Sequence, residues 1–298
     1  MQRLVEQLEN EPSLIEPNQL PQRLAALDRL DAYLPDIPPS LVGVDGELYP
    51  RARAICARLE AVNRELYEAI RRGISGGNGP NALLRWVHSS RLNFPPETKK
   101  EAGSSCDMSY GYPGMGYDYL DELISGVFQF EEPNDGDIQR RSDMVFYQPT
   151  PARHIFTLIG LTDLTPTDVL IDLGSGLGHV PLLVSICTPA RSMGIELEAT
   201  YVERARQCAQ RLNLDRVAFV QQDARAADLS NGTVFYLYTP FTGSILSCVL
   251  NLLRHEAATR RIRICSYGPC TSVIVEEPWL EAIAAPETDR IAVFCSRE

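Results

Sequence analysis

The chain of 298 residues contains no long apolar run. None of its hydrophobic stretches approaches the ~20 residues that a membrane-spanning helix needs. The first six residues, MQRLVE, likewise lack the apolar core of a secretory signal. These two absences predict a protein without a membrane anchor and with a cytoplasmic location.

Closely spaced metal ligands are also missing. The eight cysteines include no pair at C-x-x-C spacing, and the sequence has only four histidines. We therefore expect no metal site. Cys187, Cys248 and Cys295 have apolar neighbours, which is typical of cysteines that act as small core residues.

Basic charge is scarce. Lysine and arginine together number 28 against 39 acidic residues, and the formal net charge is −11. Because binding to nucleic acid depends on neutralising phosphates, this balance argues against a DNA or RNA substrate, although an acidic chain can still carry a local basic patch.

A glycine-rich turn is the most informative feature that the sequence does contain. A short apolar run over 169–171 stops at Asp172, and glycines follow at alternate positions, Gly174, Gly176 and Gly178. Apolar residues then resume at Val180. This order predicts a buried parallel strand, a tight turn and the start of a helix, which together form a nucleotide-type binding site.

The glycine spacing excludes the dinucleotide fingerprint G-x-G-x-x-G, whose last position holds His179 here. An acidic residue follows at a suitable interval. The segment Arg191–Glu196 is predicted to be a second strand, and Glu196 lies 22 residues after Gly174, where an acid would hold ribose hydroxyls.

The pattern D-x-G-x-G-x-G resembles motif I of the class I S-adenosylmethionine-dependent methyltransferases. The resemblance covers about residues 144–298 and implies a Rossmann-like sheet of seven strands, mostly parallel, with the last strand antiparallel. It implies S-adenosylmethionine as the cofactor.

The order of elements after residue 150 supports an α/β fold. Further strands are predicted at Val217–Gln221, 233–238, 262–266, 272–275 and 290–295, with helices at 152–159, 178–187, 200–212 and 244–254 between them. In such a sheet ligands bind at the carboxyl ends of the strands. Asp172, Glu196, Asp223 and Tyr238 all fall at predicted strand ends.

Residues 1–140 form a predicted helical region, separate from the domain at 141–298. Apolar periodicity indicates two helices within 1–34, and further helices at 50–72, 81–90 and 118–130. Residues 93–117 show no hydrophobic period. A long loop of this kind is either a substrate lid or a structural loop.

The resemblance also implies roles for single residues. The methionine part of the cofactor would face Asp172, Gly174, Ser175, Gly176 and Gly178. Glu196 would accept from both ribose hydroxyls, Leu197 would pack beside the adenine, and Asp223, next to Ala224, would accept from the adenine amino group. Two alternatives stay open: Asp223 could only cap a turn, and Glu196 could be a surface acid.

The segment before the first strand contains Tyr147, Thr150 and Pro151. It resembles the element that closes over the cofactor in some amino-methyltransferases. Thr150 could equally be a helix N-cap with Pro151 at the first helical position.

The segment after the fourth strand reads Tyr238-Thr239-Pro240-Phe241. Amine and adenine methyltransferases carry Asn-Pro-Pro-Tyr there, so the proline and an aromatic residue are kept and the amide is replaced by Tyr238. The layout is also similar to that of the non-SET histone-lysine methyltransferases and their bacterial relatives, whose Asn-Asn-Phe segment is missing here.

The expected function is therefore methyl transfer from S-adenosylmethionine to a small-molecule or peptide/protein acceptor. A sulfonium already carries an activated methyl group, so the protein mainly has to align the nucleophile. Tyr147 and Tyr238 are candidate catalytic residues, while His154 and His179 also lie near the expected cleft. Two alternatives remain: a non-catalytic binding module and, less favoured, a nicotinamide oxidoreductase. The sequence does not specify the oligomeric state.

Overall fold

The structure is a computed structural model. It describes residues 1–34, 48–93, 116–130 and 148–297, and for residues 88–93 it describes the backbone only. The described chain divides into two compact units. The first comprises Met1–Gly73 and Ala82–Val127, and the second comprises Ile74–Asn81 and Phe128–Glu298. The predicted boundary between residues 140 and 141 lies outside the described residues, as does most of the predicted loop 93–117.

The first unit is helical. Its helices are α1 (Gln2–Glu9), α2 (Leu20–Asp31), α3 (Leu48–Gly73), the greater part of α4 (Gly79–Asn93) and α5 (Tyr119–Phe128). Leucines of α1, α2 and α3 form a common core, as the helical spacing of the sequence predicts.

One buried cation organises the start of α2. The Arg23 side chain is fully buried. Its Nε donates to Asn63 Oδ1 on α3 at 2.7 Å, and its Nη atoms donate to the backbone oxygens of Leu14, Glu16 and Pro17. These partners replace the water that the guanidinium loses on burial.

The second unit is a sheet with helices around it. Its strands are β1 (Val169–Leu173), β2 (Arg191–Glu196), β3 (Val217–Gln221), β4 (Val234–Tyr238), β5 (Arg263–Tyr267), β6 (Leu280–Ala282) and β7 (Ala292–Ser296). Its helices are α6 (Ala152–Thr162), α7 (His179–Cys187), α8 (Ala199–Arg211), α9 (Gly243–Ala257) and α10 (Cys270–Ile274).

The strand order is β3-β2-β1-β4-β5-β7-β6. The first five strands along this order pair in parallel, and β7 pairs antiparallel with both β5 and β6. The predicted fold, a seven-stranded Rossmann-like sheet with an antiparallel last strand, is confirmed. The chain reverses its direction of travel across the sheet between β1 and β4, which opens a crevice at their carboxyl ends.

The prediction of a strand at 272–275 is wrong. This segment falls in α10 and the turn after it, and the sixth strand is β6, at Leu280–Ala282. A short apolar run fits a buried strand or a buried helix equally well by periodicity. Within α10, the Thr271 hydroxyl lies 2.8 Å from Ser266 Oγ of β5. The residue that pairs with Ser296 of β7 is the buried Leu280 of β6.

Candidate active site

The glycine turn after β1 is fastened to the end of β2. Gly174, Gly176 and Gly178 have φ values of 84°, 52° and 82°. The backbone N–H groups of Gly174 and Ser175 both donate to Ile195 O, at 2.8 and 3.0 Å. A Cβ on Gly174 would lie 2.3 Å from Pro240 Cβ. Glycine is required at this position because the turn passes against the segment after β4 in a left-handed conformation.

Glu196 ends β2 beneath this turn and is buried. Gly176 N–H donates to its Oε2 at 2.8 Å, while Leu197 and Glu198 N–H donate to its Oε1 at 2.6 and 3.0 Å. The alternative of a surface acid is therefore wrong. A carboxylate has about four acceptor positions, so these three bonds leave about one for a ligand.

Asp172, near the carboxyl end of β1, is a second buried carboxylate of the same region. Burial raises its pKa well above the usual range, and the nearby negative charge of Glu196 raises it further. Two like charges in a region shielded from water favour a positively charged ligand.

His179 opens α7 directly after the turn. Its ring lies 5.9 Å from that of Phe128 and 5.0 Å from that of Phe130, measured between centroids. Burial lowers its pKa to about 4. At neutral pH this imidazole is therefore uncharged and a weak base.

Asp223 follows β3 and caps the short 3-10 turn Ala224–Ala226. Its carboxylate accepts from Arg225 N at 2.9 Å and also forms an ion pair with the Arg225 guanidinium, with Nη2 2.6 Å from Oδ2. Asp223 therefore does cap a turn, as one of the two alternatives for this residue expected. Asp223 nevertheless lines the same pocket as Glu196.

Thr150 does not cap a helix. The helix α6 starts at Ala152, Pro151 occupies the N-cap position, and no side-chain hydrogen bond caps this end. The Thr150 Oγ1 instead lies 2.9 Å from the hydroxyl of Tyr236, which is buried in the middle of β4. The alternative of a Thr150 cap is therefore wrong, because the Thr150 hydroxyl pairs with a residue far away in sequence. Tyr147 lies outside the described residues.

The segment after β4 is held in an uncommon conformation. Thr239 has a φ of 39°, in the left-handed region. It exchanges two hydrogen bonds with Cys270: Thr239 N–H donates to Cys270 Sγ at 3.4 Å, and Cys270 N–H donates to Thr239 Oγ1 at 3.1 Å. These contacts tie the start of α10 to the segment.

Tyr238 lies at the carboxyl end of β4 in a stack of rings. Its centroid is 4.7 Å from that of Tyr267, which is 4.4 Å from that of His154. Burial raises the pKa of Tyr238 to about 12, with a smaller contribution from Tyr267. The phenol is therefore protonated at neutral pH and can donate a hydrogen bond.

One pocket of about 510 Å³ joins these groups. Nine predicted cofactor-binding residues line it: Thr150, Asp172, Gly174, Ser175, Glu196, Leu197, Asp223, Ala224 and Tyr238. Gly176 and Gly178 do not line it, but the Gly176 N–H donates a hydrogen bond to Glu196, which does. The volume lies within the usual range for small-molecule sites.

Sequence reasoning missed several lining residues, among them Gln148, Tyr201, Arg225, Tyr236, Ile245 and Pro269. A signal existed for Tyr236, because it lies two residues before Tyr238 on the same strand and so on the same face. Gln148 and Arg225 likewise adjoin predicted residues, Tyr147 and Ala224, whereas Tyr201, Ile245 and Pro269 come to the pocket through tertiary contacts that no short pattern encodes.

Two further findings apply to the described ranges. Every helix there is too short or too polar to cross a bilayer. No group of three His, Cys, Asp or Glu side chains comes together there as a metal site would require.

Residues 164–266 match a family model described as a methyltransferase domain. No curated protein sequence matches the chain. The match includes β1, the glycine turn, β2, β3 and β4, which carry or adjoin most of the residues that line the pocket.

Several solved structures resemble this one. An RNA methyltransferase from Salinibacter ruber in complex with S-adenosyl-L-homocysteine is 26% identical over 50% of this chain and 92% of its own, with a TM-score of 0.41. A putative S-adenosyl-L-methionine-dependent methyltransferase from Methanococcus maripaludis is 13% identical over 48% and 83%, with a TM-score of 0.39.

A tRNA (uracil-54, C5)-methyltransferase from Pyrococcus abyssi is 15% identical over 50% of this chain and 39% of its own, with a TM-score of 0.38. The expectation that nucleic acid is an unlikely partner stays a prediction. The matched family and the seven-stranded sheet together show that the chain carries a class I methyltransferase domain of the S-adenosylmethionine-dependent type.

Proposed function

We propose that this protein is a methyltransferase that uses S-adenosylmethionine to methylate a small-molecule or peptide/protein acceptor by in-line transfer. One observation carries the proposal: the carboxylates at the ends of β1, β2 and β3 meet in one pocket beside the glycine turn. Strand ends at a reversal of strand order are where open α/β sheets bind ligands.

The residues of the pocket fit this cofactor. Ser175 Oγ is buried and has no hydrogen-bond partner among the described residues, so a ligand group can supply one. Asp172 is buried, and both this burial and the nearby charge of Glu196 raise its pKa well above the usual range. The ammonium and sulfonium charges of the cofactor would offset the cost of this arrangement.

The two ends of the pocket suit the two ends of the cofactor. Asp172, Ser175 and the turn would hold the methionine part, and Asp223 and Leu197 would hold the adenine. Glu196 would hold the ribose. Because backbone N–H groups already take three of its acceptor positions, we expect one ribose hydroxyl to bind the carboxylate, rather than the two that the sequence pattern implies.

The cofactor supplies a methyl group on a positively charged sulfur, which is an activated leaving group. The protein then has to place the acceptor in line and keep water away. Tyr238 lines the pocket at the carboxyl end of β4, where we expect the acceptor to bind. Since its pKa is about 12, it would orient the acceptor as a hydrogen-bond donor and would not remove a proton.

A second candidate is a module that binds the cofactor without catalysis. It is favoured by the segment Tyr238-Thr239-Pro240-Phe241, which lacks the amide found in amine methyltransferases. Binding of S-adenosylmethionine without turnover across a broad panel of amine, hydroxyl, thiol and RNA acceptors would favour the module over the enzyme.

Calorimetric titration with S-adenosylhomocysteine tests the proposal. The wild-type protein is expected to bind, and Glu196→Ala is expected to bind at least about tenfold more weakly, a loss of about 1.4 kcal/mol. Glu203→Ala is the matched control, because Glu203 is an exposed acid on α8 that lies outside the pocket. Absence of wild-type binding up to millimolar ligand would overturn the proposal.

A further inference from the structure

The carboxylate of Asp223 is already occupied within the chain. Its Oδ1 accepts from Arg225 N at 2.9 Å and from Arg225 Nε at 3.0 Å. Its Oδ2 accepts from Arg225 Nη2 at 2.6 Å and from Nε at 3.2 Å. A carboxylate has about four acceptor positions. Arg225, two positions further along the chain, therefore donates to all four of these positions.

The backbone and the side chain of Arg225 play different parts in this contact. The backbone N–H belongs to the 3-10 turn that Asp223 caps, and it is present whatever side chain residue 225 carries. This bond alone orients the carboxylate. Among the described residues, the hydrogen bonds of the guanidinium go to this same carboxylate, so it adds no further anchor to that part of the fold.

Both side chains border the pocket, and both remain partly open to solvent. Asp223 and Arg225 line the cavity together, with side-chain exposures of 31% and 48%. Arg225 is the one lysine or arginine among the described lining residues. An ion pair at this exposure is weak enough to open and is sensitive to salt.

We propose that Arg225 competes with the ligand nucleobase for Asp223 and so sets affinity and base selectivity at the nucleoside end of the pocket. The inference rests on the proposed function, in which Asp223 accepts from an exocyclic amino group. For that bond to form, the guanidinium has to leave at least one carboxylate oxygen. Each ligand therefore binds at the expense of an internal ion pair.

The ion pair also affects which base is accepted. An amino group on the base donates to Asp223, whereas a carbonyl oxygen in its place can accept from the Arg225 guanidinium. With Arg225 present, the site offers a partner to either base. Without the guanidinium only the carboxylate remains, and it repels the carbonyl oxygen. Arg225 thus reduces discrimination between a 6-amino and a 6-oxo purine nucleoside.

The test measures binding of S-adenosylhomocysteine, 5′-methylthioadenosine and 5′-methylthioinosine by calorimetry to wild type and Arg225→Gln. The last two ligands are uncharged, so salt acts on the protein and not on the ligand. Arg290→Gln is the matched control, because it removes the same charge from an exposed arginine that pairs with Glu287 away from the pocket. Thermal unfolding of each variant confirms that it is folded.

We expect Arg225→Gln to bind 5′-methylthioadenosine about two- to fivefold more tightly than wild type at low salt, the range set by an exposed ion pair. Raising salt from about 0.05 to about 0.5 M should tighten wild-type binding and leave Arg225→Gln unchanged, because screening weakens only the competing pair. The preference for methylthioadenosine over methylthioinosine should increase in Arg225→Gln. Arg290→Gln should behave as wild type.

In an Asp223→Asn background, Arg225→Gln should no longer tighten binding, because residue 223 then has no charge with which the guanidinium can form an ion pair. Wild-type binding with equal or weaker binding by Arg225→Gln would overturn the competition and leave the proposed function standing. Failure of wild type and Arg225→Gln alike to bind any of the three ligands would refute the proposed function, and this inference with it.

Discussion

At the scale of single residues, the carboxylates of the pocket are held in different ways. Glu196 accepts three backbone N–H bonds, whereas Asp172 is buried beside it and carries a raised pKa. Because the folded-state pKa of Asp172 lies above its unfolded value, the ionised side chain destabilises the folded protein. This cost is absent below the unfolded pKa, grows as the pH rises from the unfolded to the raised folded pKa, and is complete above the folded pKa.

Asp172→Asn is therefore expected to stabilise the ligand-free protein at neutral pH, because burial and the nearby Glu196 charge make the ionised form of Asp172 unfavourable in the folded state. The same change should weaken S-adenosylhomocysteine binding at least about tenfold, because the carboxylate that we propose for the ligand ammonium is lost. Urea unfolding over a range of pH and calorimetry measure the two effects.

The stability gain from Asp172→Asn should shrink as the pH falls, because the wild-type carboxyl becomes protonated and neutral. A variant that is less stable than wild type at neutral pH, or a gain that grows at acid pH, would contradict this view of Asp172.

At the scale of elements, the site depends on close approach between two loops. The glycine turn after β1 meets the segment after β4, where a Cβ on Gly174 would stand 2.3 Å from Pro240 Cβ. On the other side, Thr239 exchanges hydrogen bonds with Cys270 at the start of α10. The glycine turn, the segment after β4 and the start of α10 therefore support one another. The conformation of each depends on its contacts with the others.

Gly174→Ala is expected to destabilise the second unit by about 2–4 kcal/mol, from a left-handed alanine and from overpacking against Pro240. It should also abolish measurable cofactor binding. Gly160→Ala is the matched control, because Gly160 lies in α6 with nothing within 4 Å of an added Cβ. That change should stabilise by up to about 1 kcal/mol.

Thermal unfolding and calorimetry on the two glycine variants measure these opposite effects. Equal stability of Gly174→Ala and Gly160→Ala would show that the turn tolerates a side chain, and the packing described for Gly174 would then be wrong.

At the scale of the whole molecule, the chain contains two compact units with different tasks. Within the described ranges, every residue that lines the pocket belongs to the second unit. In the first unit, buried Arg23 holds the start of α2 through Asn63 and three backbone oxygens. The proposed cofactor site should therefore tolerate a local loss of stability around Arg23.

Arg23→Ala is expected to lower the free energy of unfolding of the first unit by about 3 kcal/mol or more, because buried carbonyl groups lose their donor. At a temperature where the variant is folded, its affinity for S-adenosylhomocysteine should equal that of wild type. The control is Arg29→Ala, at an exposed arginine on α2. Loss of binding by folded Arg23→Ala would contradict the assignment of the site to the second unit.

Much of the fold could be predicted from the sequence because its signals are local. The apolar run before Asp172, the alternate glycines and the acid that ends β2 each depend on neighbours a few residues away. Such patterns determined the strand-turn-helix unit, the alternation of strands and helices, and the strand ends at which Asp172, Glu196, Asp223 and Tyr238 lie.

Only the tertiary structure decided which groups those residues contact. The sixth strand, the partner of Thr150, the backbone bonds around Glu196 and the arrival of Tyr236 in the pocket all depend on chain segments far apart in sequence. Hydrogen-bond partners are selected by proximity after packing, and periodicity carries no information about that selection. The sequence by itself determined the strand ends at which the proposed site lies, and the packed structure determined which hydrogen-bond partners the polar groups there have within the chain.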